Sequence, residues 1–511
     1  MRPIMLLMLA AVAVSSASAT VAASSRPPMN PAVPRKAPSN FEEAIDRADQ
    51  AVRAKDWPGV YQALRPLLNT DELAAQTGER RHAILLMFAT AALVTNHADE
   101  ALAQIKIAST MPQAEGHTWF IRMYAAAVLD DGAEALASLA RLADLSPDEA
   151  RALPHDMVLG IHELVSRMDK PSEALAQFDG ILFRLGWQSD SALSEPDFLW
   201  TEYAGILLDR GDVAGARTVV ARVSSPEQII EMRADRRFDP VVRRGDPAFD
   251  PRRAALAQLA KLTQAAKASP DKLEPLLGQV GEMRRLGQFD AAQALIEAAI
   301  ARVKAKGDKA YADFEDQSNW LYDIQARLLM DAGRVDEALA IQARGAQVQE
   351  NGDDNTSQVL NLGDQYVSLG RPKEALAAIA KVGGMSGYGQ MVRLYVEGCA
   401  QAQLGNTAKV QANIAEMRKL WPVNADALQD LLVCSGDLDG AAQVLIRRLA
   451  DPQERTDTLA DLQDFHDRGF TPPFAKVMGE RLETILARPD VQAAIAEVGR
   501  IETYDLWPRD T

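Results

Sequence analysis

The sequence predicts an all-α protein, a solenoid of repeated helical hairpins arranged in two sub-arrays. Three observations predict this class. A short phrase recurs along most of the chain: a small or turn residue, three or four polar residues, then an Ala that opens a helical apolar run. Aromatic residues make up only 6% of the chain against 47% hydrophobic residues in all, a balance that suits close packing of helices. The 511 residues also exceed the roughly 250–300 at which a single core stops growing.

The phrase is clearest where Gly333 opens Gly-Arg-Val-Asp-Glu-Ala-Leu and where Gly370 opens Gly-Arg-Pro-Lys-Glu-Ala-Leu. With the turn residue as its marker, it falls at positions 55, 96, 130, 169, 211, 287, 333, 370, 405 and 436. We expect the marker to close one helix in the left-handed conformation. The Ala five residues later should let two helices approach closely. Each hairpin must then bury its apolar face against its neighbours.

These residues resemble the tetratricopeptide repeat family, whose helix pairs carry an aromatic, Leu-Gly, Tyr, Gly, Ala, Ala, Pro pattern over about 34 residues. The best match is formed by Leu362, Gly363, Tyr366, Gly370 and Ala375. The resemblance covers roughly residues 41–223 and 270–450. It implies a right-handed superhelical solenoid that binds proteins, carries no catalytic groups and needs no cofactor.

The N-terminus has the layout of a secretory signal peptide. Arg2 precedes an apolar run from Ile4 to Val14, and Ala17-Ser18-Ala19 forms a cleavage site. We therefore expect a protein of exported bacterial type, periplasmic or secreted, whose residues 1–19 are removed. An uncleaved anchor extending to Ala23 is the alternative.

The remaining chain divides by composition and repeat spacing. Five Pro residues predict a flexible linker at 20–40, and one marker step of 76 residues indicates a break between two arrays. The predicted segments are a first array at 41–223, an Asp/Arg/Pro-rich connecting and capping segment at 224–254, a second array at 255–450 and a C-terminal helical cap at 451–511. Helical patterns within the cap fall at 453–467, 474–487 and 490–500.

Composition and motifs argue against several functions. The net charge of −16 disfavours binding to nucleic acid or anionic lipid, and no membrane span is expected after signal cleavage. His162-Glu163 opens a zinc-binding H-E-x-x-H motif, but Ser166 occupies the second ligand position. The glycines at 383–387 predict a turn between repeats, and acidic pairs such as Asp130-Asp131 and Asp353-Asp354 predict solvated caps. We expect the protein to bind no metal and no cofactor, and we expect it not to be an enzyme.

Cys399 and Cys434 lie 35 residues apart, on the first helices of adjacent repeats. In an exported protein they could form a disulfide. We favour two buried thiols, because Cys399 lies six residues before Gly405 whereas Cys434 lies two before Gly436.

In the tetratricopeptide repeat family the first helix of each hairpin lines a concave groove. The residues that point into the groove lie about 13, 10, 6, 3 and 2 positions before the turn Gly. Transferred to this chain, the groove positions are His117, Phe120, Tyr124, Glu163, Arg167, Phe198, Thr201, Asp209, Arg284, Arg285, Trp320, Asp323, Arg327 and Tyr395. Aromatic and Arg side chains of this kind anchor peptides and helices. The resemblance thus implies a non-catalytic scaffold that binds a peptide or helix of a partner protein, with envelope assembly or export as a fitting process.

Two alternatives stay open. Trp119, Trp200, Trp320 and Trp421 could stack on an exported carbohydrate polymer. An active site could instead form at 224–254 or 451–511, and perturbed acidic residues in a deep pocket would support it.

Overall fold

A computed structural model of the chain describes residues 40–190, 197–348, 355–383, 385, 387–421, 423–467 and 469–508. These residues form α-helices joined by short turns, and isolated bridges between Asp235 and Gly499 and between Asp464 and Thr503 are the strand-like pairings among them. The all-α prediction is confirmed. The predicted signal peptide, the linker up to residue 39 and the pair Asp353-Asp354 lie outside the described residues. Within the described part, no helix combines the length and the hydropathy that a membrane crossing requires.

The chain divides into two compact units, Met1–Asp190 and Ser191–Thr511. The array boundaries predicted above refer to repeat pattern rather than to compactness, and they stay a prediction. The helices of the first unit are α1 (Asn40–Arg53), α2 (Trp57–Leu64), α3 (Asp71–Ala74), α4 (Gly78–Val94), α5 (Ala98–Ala108), α6 (Gly116–Val128), α7 (Gly132–Leu145), α8 (Pro147–Arg151), α9 (His155–Ser166) and α10 (Pro171–Leu185).

Among the described residues, the second unit contains more helices than the first. Its helices are α11 (Asp197–Asp209), α12 (Val213–Val220), α13 (Pro226–Ala234), α14 (Pro251–Ala268), α15 (Glu274–Arg285), α16 (Phe289–Lys306), α17 (Phe314–Asp331), α18 (Val335–Gly345), α19 (Thr356–Ser368), α20 (Pro372–Ile379), α21 (Gly387–Gln403), α22 (Thr407–Lys419), α23 (Ala425–Ser435), α24 (Leu438–Ala450), α25 (Arg455–Asp461), α26 (Pro473–Leu486) and α27 (Pro489–Val498).

The predicted markers are the residues that end the first helix of each hairpin. Nine of the ten have φ between 56° and 81°, namely Lys55, Asn96, Asp130, Gly211, Gly287, Gly333, Gly370, Gly405 and Gly436. The tenth, Asp169, is not among the residues with positive φ. An aspartate directly after four of these markers caps the next helix; Asp131, for example, accepts a hydrogen bond of 3.1 Å from the backbone N–H of Glu134. The hairpin prediction is therefore confirmed down to its turn chemistry.

Close helix packing follows from the small residue five positions after the marker. This Ala is fully buried in seven hairpins, at Ala101, Ala135, Ala216, Ala292, Ala338, Ala375 and Ala441. On the facing helix, Gly363 has a similar role. A Cβ there would lie 2.8 Å from Ile379 Cγ2 and 3.0 Å from Val396 Cγ1, so α19 packs against α20 and α21 at a distance that requires Gly.

The second unit closes on itself. Successive helices pack on one another from α13 through the hairpins to α25, and α25 packs back on α13. Asp235, which is fully buried, accepts hydrogen bonds from Arg237 at 2.8 Å and from Thr456 at 2.9 Å. Arg500 donates to Asp239 at 2.6 Å. The segments predicted as a connector (224–254) and as a cap (451–511) thus bind each other.

This closure shortens one predicted helix. The pattern at 453–467 is helical only from Arg455 to Asp461. Beyond it, the backbone N–H groups of Asp464 and His466 donate to the carbonyls of Glu502 and Leu506, at 3.0 and 2.9 Å. Pairing with the C-terminal segment replaces the helical hydrogen bonds there.

The prediction of two free thiols is wrong. Cys399 on α21 and Cys434 on α23 form a disulfide, with their Cα atoms 5.6 Å apart. Their offsets from the turn Gly differ by four residues, which is about one helical turn and returns to the same helix face. The different offsets of the two cysteines therefore do not exclude a disulfide. A shift of one helical turn between α21 and α23 is enough to bring Cys399 and Cys434 side by side.

Candidate functional site

Three successive first helices of the second unit, α15, α17 and α19, line a cavity of about 390 Å³. Side chains of α14 and the C-terminal segment complete its wall. The lining residues are Gln258, Leu262, Leu277, Gly278, Gly281, Glu282, Arg284, Arg285, Trp320, Asp323, Ile324, Arg327, Ser357, Asn361 and Pro508. A volume of this size falls within the range of ligand-binding pockets.

Five predicted groove residues meet in this cavity: Arg284, Arg285, Trp320, Asp323 and Arg327. The offsets from the turn Gly identified these residues because they select one face of each first helix, and α15 and α17 both present that face to the cavity. Whether they bind a partner stays a prediction.

The three guanidinium groups of the cavity are each held by a carboxylate of the same unit. Arg284 Nη2 lies 2.6 Å from Asp331 Oδ2, and Arg327 Nε lies 2.7 Å from Asp323 Oδ2. Arg285, only 5% exposed, pairs with Glu227. These pairs fix the side chains and neutralise them. Trp320 remains 45% exposed at the cavity and is its apolar contact surface.

Tyr395 lies outside this cavity, on α21. Its hydroxyl donates a hydrogen bond of 2.9 Å to Asp364 Oδ1. Reduced solvation raises the pKa of Tyr395 well above its usual value, and the neighbouring Asp364 and Asp430 add to the shift by repelling a phenolate. Tyr395 is therefore a hydrogen-bond donor to an acidic surface.

That surface, called the acidic inner face below, consists of six carboxyl groups connected by mutual repulsion, namely Asp364, Asp426, Asp430, Asp457, Asp461 and Glu231. Reduced solvation is the main cause that raises the pKa of Asp430 and Glu231 well above their usual values. It also raises the pKa of Asp461 to about 7, where Asp426 adds repulsion and Arg448 opposes the shift. Several like charges therefore share a poorly solvated surface.

The sequence analysis missed this surface, although its own rule could have found half of it. Asp364 lies six residues before Gly370, and Asp430 and Asp426 lie six and ten before Gly436. These are groove offsets that were not applied to every repeat. Glu231 and Asp457 follow no such rule, because they belong to the closing segments rather than to a marked hairpin.

The predicted groove residues of the first unit take other surroundings. His117 Nδ1 lies 3.4 Å from Glu149 Oε1, and its ring stacks on Phe120 with centroids 6.0 Å apart. Tyr124 is half-buried, and Glu163 and Arg167 form an exposed ion pair at 3.7 Å. A separate cavity of about 420 Å³ in this unit is lined by Trp57, Pro58, Tyr61, Gln62, Val94, Thr95 and His97. None of the predicted groove residues lines it.

The three predicted positions on α11, in the second unit, also lie apart from the cavity between α15, α17 and α19. Phe198 is half-buried. Thr201 is 4% exposed, and its hydroxyl donates to the carbonyl of Asp197 at 3.1 Å within the helix. Asp209 is exposed and accepts a hydrogen bond of 3.1 Å from Arg237. Thr201 thus packs in the helix core instead of facing a groove.

The tryptophans offer little surface for carbohydrate stacking. Trp200 is 2% exposed. Arg122 lies over the Trp119 ring at 4.9 Å, and Arg447 lies over the Trp421 ring at 4.2 Å. Only Trp320 among the four keeps a largely exposed ring, so the carbohydrate alternative loses its support.

The fold and the cavity define an all-α repeat protein of tetratricopeptide-like helical hairpins, with a binding-sized cavity on its first helices. No protein-family model matches the chain. No curated protein matches it either.

Several solved structures are similar in fold. Naa15/Naa10 bound to HypK-THB is 12% identical with a TM-score of 0.26, covering 89% of this chain and 90% of that one. A tetratricopeptide repeat protein from Parabacteroides merdae ATCC 43184 is 11% identical with a TM-score of 0.24, covering 78% and 99%. Yeast Tom70 is 11% identical with a TM-score of 0.31, covering 89% and 99%. Overlaps this low carry no argument about function.

Proposed function

We propose that this protein is a non-catalytic scaffold that holds a segment of a partner protein in the cavity between α15, α17 and α19. The observation that carries the proposal is the exposed Trp320 ring in a cavity whose Arg side chains are already fixed by carboxylates. An aromatic anchor beside pre-oriented Arg groups is typical of sites where a few residues supply most of the binding energy. Because little side-chain freedom remains to be lost, binding costs less entropy.

Export to the periplasm or the exterior is part of the same proposal. The signal-like N-terminus supports it. The disulfide between Cys399 and Cys434 supports it independently, since disulfides persist mainly in oxidising compartments. A partner in envelope assembly or export would meet the scaffold there.

The test places a photo-reactive benzoylphenylalanine at position 320 in the organism that makes the protein. Tyr388, 61% exposed and outside the cavity lining, is the matched control position. We expect a discrete crosslinked partner from position 320 and not from position 388, and we expect Trp320→Ala to abolish co-purification of that partner without changing the circular dichroism spectrum. Equal crosslinking from both positions, or unchanged co-purification, would refute the proposal.

One observation favours a second candidate function, an enzyme. Glu231 from the connector and Asp457 and Asp461 from the cap repel one another and have raised pKa values, which is one of the two features that the enzyme alternative requires, the other being a deep pocket. A carboxyl with a pKa near 7 could donate a proton in hydrolysis. The test measures new reducing ends or amines released from envelope polymers between about pH 5 and 8, with Asp461→Asn as the comparison. If the wild type and the Asp461→Asn variant release the same amount of product, the enzyme candidate is refuted.

A further inference from the structure

Among the described residues, the acidic inner face holds more carboxyl groups than cations that pair with them. Arg448 forms ion pairs within this surface: its Nη1 lies 2.8 Å from Asp426, and its Nη2 lies 3.5 Å from Asp461. Arg327 attracts Asp364 from the neighbouring cavity. Asp364 accepts the hydrogen bond from Tyr395. The side chains of Asp430 and Asp457 make no hydrogen bond or ion pair with any described residue, and Arg448 attracts both from a longer distance. Two carboxyl groups thus lack a directly paired cation among the described residues.

These carboxylates remain accessible from outside the protein. The side chain of Asp426 is 50% exposed and that of Asp461 is 43% exposed, and Asp457 is also exposed. At the same time, reduced solvation raises the pKa of Asp430, with Asp426 and Asp364 adding repulsion. A cation supplied by a ligand would replace this repulsion with attraction.

A second feature points to the same ligand. The acidic inner face adjoins the cavity that contains Trp320, because Asn361 lines the cavity and Asp364 lies one helical turn further along α19. Asn361 Nδ2 also donates to Asp323 inside the cavity, at 3.3 Å. An apolar anchor and an acidic surface therefore follow each other on consecutive first helices.

The arrangement fits a polypeptide better than a metal ion. The six carboxylates are distributed over α13, α19, α23 and α25. Among the residues that the structure describes, no three of them bring oxygen atoms within 4.8 Å of one another. A single cation could not be coordinated by such a set, whereas Lys and Arg side chains spaced along an extended segment reach separate carboxylates.

We propose that the partner segment carries several Lys or Arg side chains, which the acidic inner face binds while an apolar side chain contacts Trp320. This inference rests on the function proposed above and adds the chemical class of the ligand. Charge complementarity of this kind steers association and selects among partners.

The experiment measures fluorescence anisotropy of labelled peptides with the full mature protein. Three peptides of about 12 residues share one Leu-Phe pair and differ at roughly four positions, which are Lys, Gln or Glu, so that charge alone varies. We expect the Lys peptide to bind and the Glu peptide not to bind, and raising NaCl from about 0.05 to about 0.5 M should weaken binding of the Lys peptide.

Two matched double variants assign that binding to the acidic inner face. Asp430→Asn with Asp457→Asn should weaken binding of the Lys peptide about tenfold, because neither side chain is hydrogen-bonded or ion-paired to a described residue and both can pair with the ligand. Asp290→Asn with Asp336→Asn removes the same charge from exposed positions on α16 and α18 and should change binding little.

The possible outcomes separate the two proposals. If all three peptides bind equally and Trp320→Ala abolishes their binding, the scaffold stands and the inference about charge is overturned. If CaCl₂ alone, at millimolar concentration in constant ionic strength, displaces the Lys peptide, a cation site replaces the inference. If no peptide binds and position 320 crosslinks nothing, both proposals fail.

Discussion

Single residues set the hairpin geometry of this protein through their backbone conformation. Lys55, Asn96 and Asp130 adopt the same positive φ as the turn glycines of the later hairpins. Left-handed backbone costs an L-residue roughly 1–2 kcal/mol, which Gly avoids. The first unit thus tolerates strain at three turns that the second unit relieves with Gly.

Gly370→Ala should lower the free energy of unfolding by about 1 kcal/mol, because no atom of the described residues lies within 4 Å of the added methyl group and the cost is conformational. Gly479→Ala is the matched control, since that Gly lies within α26 and its position is equally open. There the same substitution should raise stability by about 0.5–1 kcal/mol through helix propensity. Urea unfolding of both variants measures the two shifts, and equal signs would contradict this interpretation.

The raised pKa of Asp461 makes stability depend on pH. The pKa is about 7 in the folded chain against 3.8 for the free side chain, so the folded state binds the proton more tightly. Stability from this group is fully present below about pH 4 and is lost as the pH rises through 7. Water screens the effect because 43% of the side chain is exposed.

Denaturant unfolding between about pH 4 and 8 should therefore show a fall in stability with rising pH that Asp461→Asn reduces. The neighbouring Asp426, Asp457 and Arg448 are unchanged in this variant. If the unfolding free energies of wild type and variant change with pH in parallel, the pKa of Asp461 is not raised in the folded chain and this prediction is wrong.

At the scale of helices, neighbouring hairpins are joined by packing and by one covalent bond. The buried Ala five residues after most markers brings the two helices of a hairpin together, and Gly363 and the disulfide join one hairpin to the next. The disulfide closes a sequence separation of 35 residues. In the chain-entropy description, such a bridge stabilises the folded state by about 3–4 kcal/mol.

Replacing both cysteines by Ala, at Cys399 and Cys434, should lower the unfolding free energy by about 3–4 kcal/mol. Reductant should destabilise the wild type by a similar amount and leave the double variant unaffected. Counting thiols in denaturant without reductant provides the direct check: two reactive thiols per chain would contradict the disulfide.

At the scale of a whole unit, the second unit differs from an open array because its ends meet. In an open array each repeat contacts only its neighbours, and unfolding can begin at either end. Here Arg237 joins buried Asp235 to Thr456, and Arg233 binds Glu502 at 2.9 Å. The closing segments should therefore be protected as well as the hairpins between them.

Arg237→Gln should destabilise the second unit by about 3 kcal/mol, because it leaves the Asp235 carboxylate buried without its cation. Hydrogen exchange should increase in both α13 and α25. Arg334→Gln breaks an exposed pair with Glu337 and should leave the stability of the unit nearly unchanged. Faster exchange in α13 alone would mean that the two ends are not coupled.

The sequence determined the local architecture of this protein. Helix pairs, turn positions and the buried Ala of each hairpin follow from backbone conformation and a periodic pattern, both of which act over a few residues. Five of the predicted groove positions also lie together in one cavity, because offsets from the turn Gly place side chains on a known helix face, and their binding role stays a prediction. The prediction failed for Thr201, whose helix turns that position into the core.

Only the tertiary structure decided which distant residues meet. Asp235 and Thr456 are 221 residues apart, and nothing in either local pattern indicates their hydrogen bond. The disulfide depended on the stagger of two helices, and the acidic inner face depended on carboxylates from four helices sharing one surface. Contacts of this kind are set by how hairpins stack and close, which is a property of the assembled unit and not of any single repeat.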